Sequence, residues 1–397
     1  MSHAHLQQSP WTIFLVFLRL GLTSFGGPVA HLAFFRDEFV ARQQWLDEQS
    51  YVDLVALCQF LPGPSSSQVG IALGLLRAGW RGAFAAWAGF TLPSAIALVL
   101  FALGLSNYHQ LVDSSALQGL KIVALAVVAH AVWNMARVLC PDLPRIGIML
   151  AACAAALILP GIYSQLGAIA CAAIVATIIF KPDTREPRDA SPAVTGQRPA
   201  VYCLLAFGAL LCVLPLLAQT LSSTSLHMVD AFYRTGSLVF GGGHVVLPLL
   251  QAEVVPTGWV SEDVFIAGYG ATQAVPGPLF TFSAFLGASM QQAPSGWIGA
   301  TICLLAIYLP SFLLVFGALP FWRQLRNNAR MQAMLMGVNA AVVGLLLAAL
   351  YQPVGTSAIH SPGDVLLALL ALLALVLWKV PVWLLVPLGA AVSWAIR

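Results

Sequence analysis

QFLPGPSSSQ, residues 59–68, interrupts a long hydrophobic run, and QAVPGP, residues 273–278, interrupts another. Proline removes a backbone donor and collides with the preceding turn, and glycine weakens a helix. One such break reads as a kink or a tight turn, because Gly and Pro are common in membrane helices. Two breaks with the same Gln-x-x-Pro-Gly-Pro pattern ask for a common cause.

The chain has 397 residues, of which 59% are hydrophobic and 8% charged. Soluble domains carry about 25% charged residues, so this chain cannot cover a water-facing surface. An all-α polytopic membrane protein is expected. The first apolar run, from Trp11, has no basic segment before it and no small-residue cleavage site, so it reads as a retained helix. The seven cysteines show no CxxC and no Cys/His cluster and read as small hydrophobes. No metal site or cofactor is expected, and a pI of about 8.5 from loop arginines does not suggest nucleic acid.

Apolar runs predict about thirteen crossings, at 11–33, 52–76, 80–105, 117–136, 146–160, 163–180, 201–219, 228–250, 263–289, 297–320, 333–352, 364–378 and 380–396. With the N-terminus in the cytoplasm, twelve Lys and Arg residues fall in cytoplasmic loops and three outside, as the positive-inside rule requires. The misfits are Arg36 and Arg42, which are accompanied by Asp37, Glu38, Asp47 and Glu48. The polar, Pro-rich segment 181–199 reads as a disordered cytoplasmic linker. It separates a first half, 11–180, preceded by a tail at 1–10, from a second half, 200–397.

The halves repeat. Arg19-x-Gly21 and Phe25-Gly26-Gly27 match Arg234-x-Gly236 and Phe240-Gly241-Gly242, and Glu38 matches Glu253. The two Pro-Gly-Pro motifs, Gly79-Trp80-x-Gly82-Ala83 with Gly296-Trp297-x-Gly299-Ala300, Leu92-Pro93-Ser94 with Leu309-Pro310-Ser311, and Gly119 with Gly337 follow in the same order. An odd number of crossings between the repeat starts predicts inverted topology, an architecture of secondary transporters. Helices broken at matching places in two inverted halves point to a substrate site. Broken backbone at membrane depth survives only where protein or a water-filled cavity satisfies it. Pro28, Pro64 and Pro278 are suited to start half-helices whose amides face a shared cavity.

The ionisable residues expected at depth are basic: Arg19, Arg234 and, nearer a span end, Lys121. Buried arginines with helix N-termini describe an anion site, and the planar guanidinium fork suits a tetrahedral oxyanion. The expected site therefore gathers Arg19, Arg234 and His244 with the break residues Gly26, Gly27, Pro62, Gly63, Pro64, Gly241, Gly242, Pro276, Gly277 and Pro278. Gln59 and Gln273, which precede the breaks, and Ser65 and Ser66, which follow the first, complete it. The first half continues Ser65-Ser66-Ser67-Gln68 where the second has Leu279-Phe280-Thr281-Phe282, so an asymmetric site is expected. Either arginine alone could instead snorkel or cap carbonyls. Lys121, aligned with Asn339, reads as a snorkelling lysine, His130 as a packing residue, and Trp80 and Trp297 as interface markers. His31 does not align strictly with His244.

These paired blocks, with Phe25-Gly26-Gly27-Pro28 and Phe240-Gly241-Gly242-Gly243-His244 foremost, resemble the chromate ion transporter family in its long two-domain form. Gly243 stands where Pro28 stands, so no role of that proline is shared. The resemblance implies export of chromate from the bacterial cytoplasm across the inner membrane, and chromate resistance. Sulfate is an alternative substrate or exchange partner. Export of a dianion releases about 4.6 kcal/mol per 100 mV, enough for a gradient of about a thousandfold. A membrane enzyme is a remote alternative, because no HExxH, paired intramembrane Asp or dinucleotide fingerprint is present. The expected partners are the oxyanion, the lipid bilayer and further copies of the chain in a homo-oligomer.

Overall fold

The computed structural model describes residues 8–107, 114–159, 161–180, 197–221, 223–240, 243–322 and 328–396. Regular structure among the described residues is helical throughout. Every apolar run forms helix, and the four that carry the Gly/Pro motifs are split at them. Run 11–33 becomes α1 (Pro10–Thr23) and α2 (Gly27–Arg36), the latter extended by a π-turn, Asp37–Arg42. Run 52–76 becomes α3 (Glu48–Phe60) and the first arm of α4 (Ser65–Asn107). After α5 (Ser114–Leu139), α6 (Leu143–Ile158), α7 (Ile162–Ile179) and α8 (Gln197–Thr220), the pattern returns. It gives α9 (Thr224–Leu238) with α10 (Val246–Val254), then α11 (Glu262–Ala274) with α12 (Phe282–Ala288). The chain ends with α13 (Gly296–Ala318), α14 (Ala329–Ala349), α15 (Pro362–Val376) and α16 (Val382–Ile396). Among the described residues, five helices are long and apolar enough to cross a membrane. The linker lies outside the described residues up to 196; residues 197–199 open α8 and are helical.

Local chemistry sets the helix starts. Asp47 opens α3 by accepting from Ser50 N, Asp142 opens α6 by accepting from Arg145 N, and Ser261 opens α11 by accepting from Val264 N. Ser9 and Pro10 together start α1.

Several of the repeated glycines mark close approaches. Helix α4 bends at Ala78 (φ −144°) and Gly79 (φ 60°). A Cβ on Gly74 would strike the carbonyl of Gly82. Eight residues along a straight helix would separate the two by about 12 Å, so the chain doubles back into a hairpin. In the second half α12 and α13 make the same hairpin, with Gly287 against Gly299. The Arg-x-Gly blocks serve a second contact. Gly21 of α1 meets the Gly89 and Phe90 carbonyls of α4, and Gly236 of α9 meets that of Ile307 in α13.

The halves interlock. Helix α5 of the first half packs against α15 and α16 of the second, while α14 of the second packs against α6 and α7 of the first. The matched glycines sit at these contacts: Gly119 meets Gly389, and Gly337 meets Ala172. One apolar core runs through both halves, from Phe17, Phe35 and Phe90 to Phe265, Phe282 and Phe285. Outward-facing positions such as Trp11, Leu100, Ile158, Leu216 and Trp378 remain exposed and apolar, as lipid contact requires.

Candidate functional site

The breaks meet across the halves, and they do so reciprocally. Gly63 N–H donates to the Val239 carbonyl at 2.7 Å, and Gly277 N–H donates to the Ser24 carbonyl at 3.0 Å. Ser24 and Val239 are equivalent residues, each immediately before a Phe-Gly-Gly block. Each Pro-Gly-Pro turn thus docks on the first break of the other half. Both central glycines take left-handed backbone, φ +121° at Gly63 and +105° at Gly277. A Cβ there would lie 2.8 Å from Ser311 Oγ at Gly63 and 2.8 Å from Ser94 Oγ at Gly277. The Leu-Pro-Ser blocks therefore supply the serine that seals each turn, and Gly is required for both the turn and the fit. Pro62, Pro64, Pro276 and Pro278 frame these turns. Gly26 and Gly27 form the turn into α2 with positive φ, and Gly241 and Gly242 lie outside the described residues.

Polar groups concentrate on the first-half side of this junction. Ser65 begins the first arm of α4, whose opening amides have no preceding carbonyl to bond. His31 is buried, with Nε2 3.2 Å from the Ser24 carbonyl and Nδ1 3.4 Å from Ser66 Oγ. A carbonyl can only accept, so Nε2 carries the proton and the Ser66 hydroxyl donates to Nδ1. Gln68 Nε2 donates to the Pro62 carbonyl at 2.6 Å and braces the turn. The Tyr308 hydroxyl lies beside Ser67 and Thr91. Ser24 Oγ, Gln68 Oε1 and Ser311 Oγ are buried without a hydrogen-bond partner in the protein, while Ser67 and Thr91 share the Tyr308 hydroxyl. Burying such groups unpaired costs about 1–3 kcal/mol each, so the cluster is built for a polar guest or water.

The two arginines occupy unlike places. Arg19 lies on an exposed face of α1. Arg234 is half-buried, and its Nη2 contacts Asp230 Oδ2 at 3.1 Å and Glu253 Oε1 at 2.9 Å. The guanidinium expected to face an anion therefore faces two carboxylates, and the basic residues expected at depth are not alone there. The repeat alignment contained the signal, since it matched Glu38 with Glu253. Glu38 instead pairs with Arg42 at 3.0 Å, and Leu15 takes the place equivalent to Asp230.

Other expected residues fall around this frame. His244 Nδ1 is 2.7 Å from the buried Tyr269 hydroxyl. Gln59 is exposed on the last turn of α3, while Gln273 is half-buried with Nε2 unpartnered. Lys121 Nζ reaches the exposed Asp263 Oδ1 at the start of α11, at 2.5 Å. His130 bonds Asn134 one turn on, at 3.1 Å, as a packing residue would. Ser24, Thr91, Tyr308 and Ser311 were absent from the expected site. The repeated Leu-Pro-Ser blocks could have flagged Ser311, but Thr91 and Tyr308 carry no sequence mark beyond being polar within apolar runs.

Comparison with known proteins follows the same outline. The chromate transporter family profile matches residues 11–180 and 226–394. An uncharacterized transporter of Methanocaldococcus jannaschii is 27% identical over 349 residues, covering 86% of this chain and 83% of that protein. The chromate transport protein of Pseudomonas aeruginosa is 28% identical over 344 residues, covering 84% and 78%. That of Cupriavidus metallidurans is 24% identical over 370 residues, covering 92% and 87%. No solved structure matches. With both repeats matched and the motifs at a single buried junction, the chain belongs to the chromate transporter family.

Proposed function

We propose that this protein is a secondary transporter that exports chromate from the bacterial cytoplasm across the inner membrane and so confers chromate resistance. The observation that carries the reading is the reciprocal docking of the breaks, Gly63 on Val239 and Gly277 on Ser24. Exchange of equivalent contacts requires a two-fold relation between halves. An odd number of crossings between the repeat starts would put that axis in the membrane plane, and the apolar runs of the sequence give seven, from the first run to the eighth. Rocking one half against the other then opens the junction to each side in turn. Two relatives are named chromate transport proteins, which supports the substrate. The reading is transport and not catalysis, in keeping with the family.

Chromate uptake into inside-out membrane vesicles, with an imposed potential and with or without excess sulfate, tests it. Uptake that needs the protein and grows with inside-positive potential is expected. Competition by sulfate would extend the substrate class to sulfate or to exchange. No uptake by correctly inserted protein would refute the proposal.

A further inference from the structure

We propose that the oxyanion is held by uncharged donors alone, at the N-terminus of α4, and that neither Arg19 nor Arg234 touches it. This rests on the oxyanion reading above and names its binding residues. The first arm of α4 presents the free amides of Ser65, Ser66 and Ser67, and a helix N-terminus carries about half a positive charge. Around it stand buried hydroxyls, two of which the protein itself does not satisfy. Ser24 and Ser311 are 0% exposed, each with an unpartnered oxygen, and Ser67 and Thr91 are as deeply buried. Tyr308 faces Ser67 and Thr91 from the second half. Each hydroxyl can turn its proton toward an anion. Gln68 Oε1, an amide oxygen, can only accept, so its place is beside a hydroxyl or a bound water and not against the anion.

The arginines are disposed otherwise. Arg234 already meets two carboxylates, and Arg19 is exposed on α1. Neutral donors also suit a carrier, because a site must bind strongly enough to load and weakly enough to release. A buried guanidinium against a dianion in a low dielectric would hold it far more tightly. The second half offers no duplicate. Its corresponding turn is Leu279-Phe280-Thr281-Phe282, and the Thr281 hydroxyl already bonds the Pro278 carbonyl at 2.7 Å. One anion per chain follows, carried without a compensating protein charge.

The test is equilibrium binding of radiolabelled chromate and of sulfate to the purified full chain in detergent, with thermal unfolding recorded in parallel. The wild-type protein should bind one oxyanion per chain. Ser67→Ala, Thr91→Val and Ser311→Ala should each weaken binding about tenfold, the loss expected for one hydrogen bond to a charged group. Ser311→Ala should also unfold at equal or higher temperature than wild type without anion, because it deletes an unsatisfied buried oxygen. A purely structural role would lower it. Arg19→Gln should bind as wild type. Wild-type affinity in all three hydroxyl variants, or loss of binding in Arg19→Gln, would overturn the placement. A wild-type chain that binds neither anion would instead overturn the oxyanion reading itself.

Discussion

Substituting Gly63 by alanine tests whether the two breaks dock as described. Gly27 provides the control, since both residues have positive φ, +121° at Gly63 and +78° at Gly27. At either site alanine incurs backbone strain of about 1–3 kcal/mol. At Gly27 nothing lies within 4 Å of the added carbon, so the cost ends there. At Gly63 the carbon would lie 2.6 Å from Gln68 Nε2 and 2.8 Å from Ser311 Oγ. Relief pulls Gln68 away from Pro62, losing a hydrogen bond of about 1 kcal/mol. Overpacking adds about 1–3 kcal/mol. Gly63→Ala should therefore cost about 2–4 kcal/mol more than Gly27→Ala, a large share of a total stability of about 5–15 kcal/mol. The assay is the fraction of detergent-solubilised protein that stays monodisperse after heating, with vesicle transport measured alongside. Ser311→Gly should restore part of the loss in Gly63→Ala and none in Gly27→Ala. Equal losses at Gly63 and Gly27, or no rescue by Ser311→Gly, would refute the docked junction.

Further outcomes follow from the same contacts. Arg234→Ala leaves Asp230 and Glu253 buried without their cation and should cost about 3–5 kcal/mol, seen as loss of folded protein in the membrane. Arg19→Gln, on an exposed face, should stay within about 0.5 kcal/mol of wild type in thermal unfolding. Gly82→Val should block the α4 hairpin and abolish folded protein, while Gly104→Ala, with open space around it, should be neutral or stabilising by about 0.5–1 kcal/mol. In the loop before α6, hydrogen bonds from Arg145 hold the Asp142 carboxyl below the usual carboxylate range. Its contribution to stability is present above the unfolded carboxylate pKa of about 4 and disappears as pH falls through the lower folded value. Asp142→Ala should thus cost about 1 kcal/mol near neutral pH and nothing at strongly acid pH, as chemical unfolding across pH would show.

Much of this protein is legible in its sequence. A chain so poor in charge has to place its apolar residues against lipid, and each apolar run did become helix. The interrupted helices were visible too, because Pro and Gly act on the backbone locally, wherever the segment later packs. The repeat named the residues that matter at the junction, including Ser94, Ser311 and the paired glycines, without saying what they touch. Partnership was decided by the tertiary structure. Gly63 answers to Val239 and Gly277 to Ser24, contacts between residues well over a hundred positions apart that no local propensity encodes. The same holds for charge. Arg19 and Arg234 are equivalent in sequence, but one carries Leu15 and the other Asp230 a turn earlier, and α10 brings Glu253 only to the second. The sequence supplied two arginines, and the packing of α9 against α10 satisfied one of them. At the junction, Ser24 Oγ, Ser311 Oγ and Gln273 Nε2 remain without a partner in the protein.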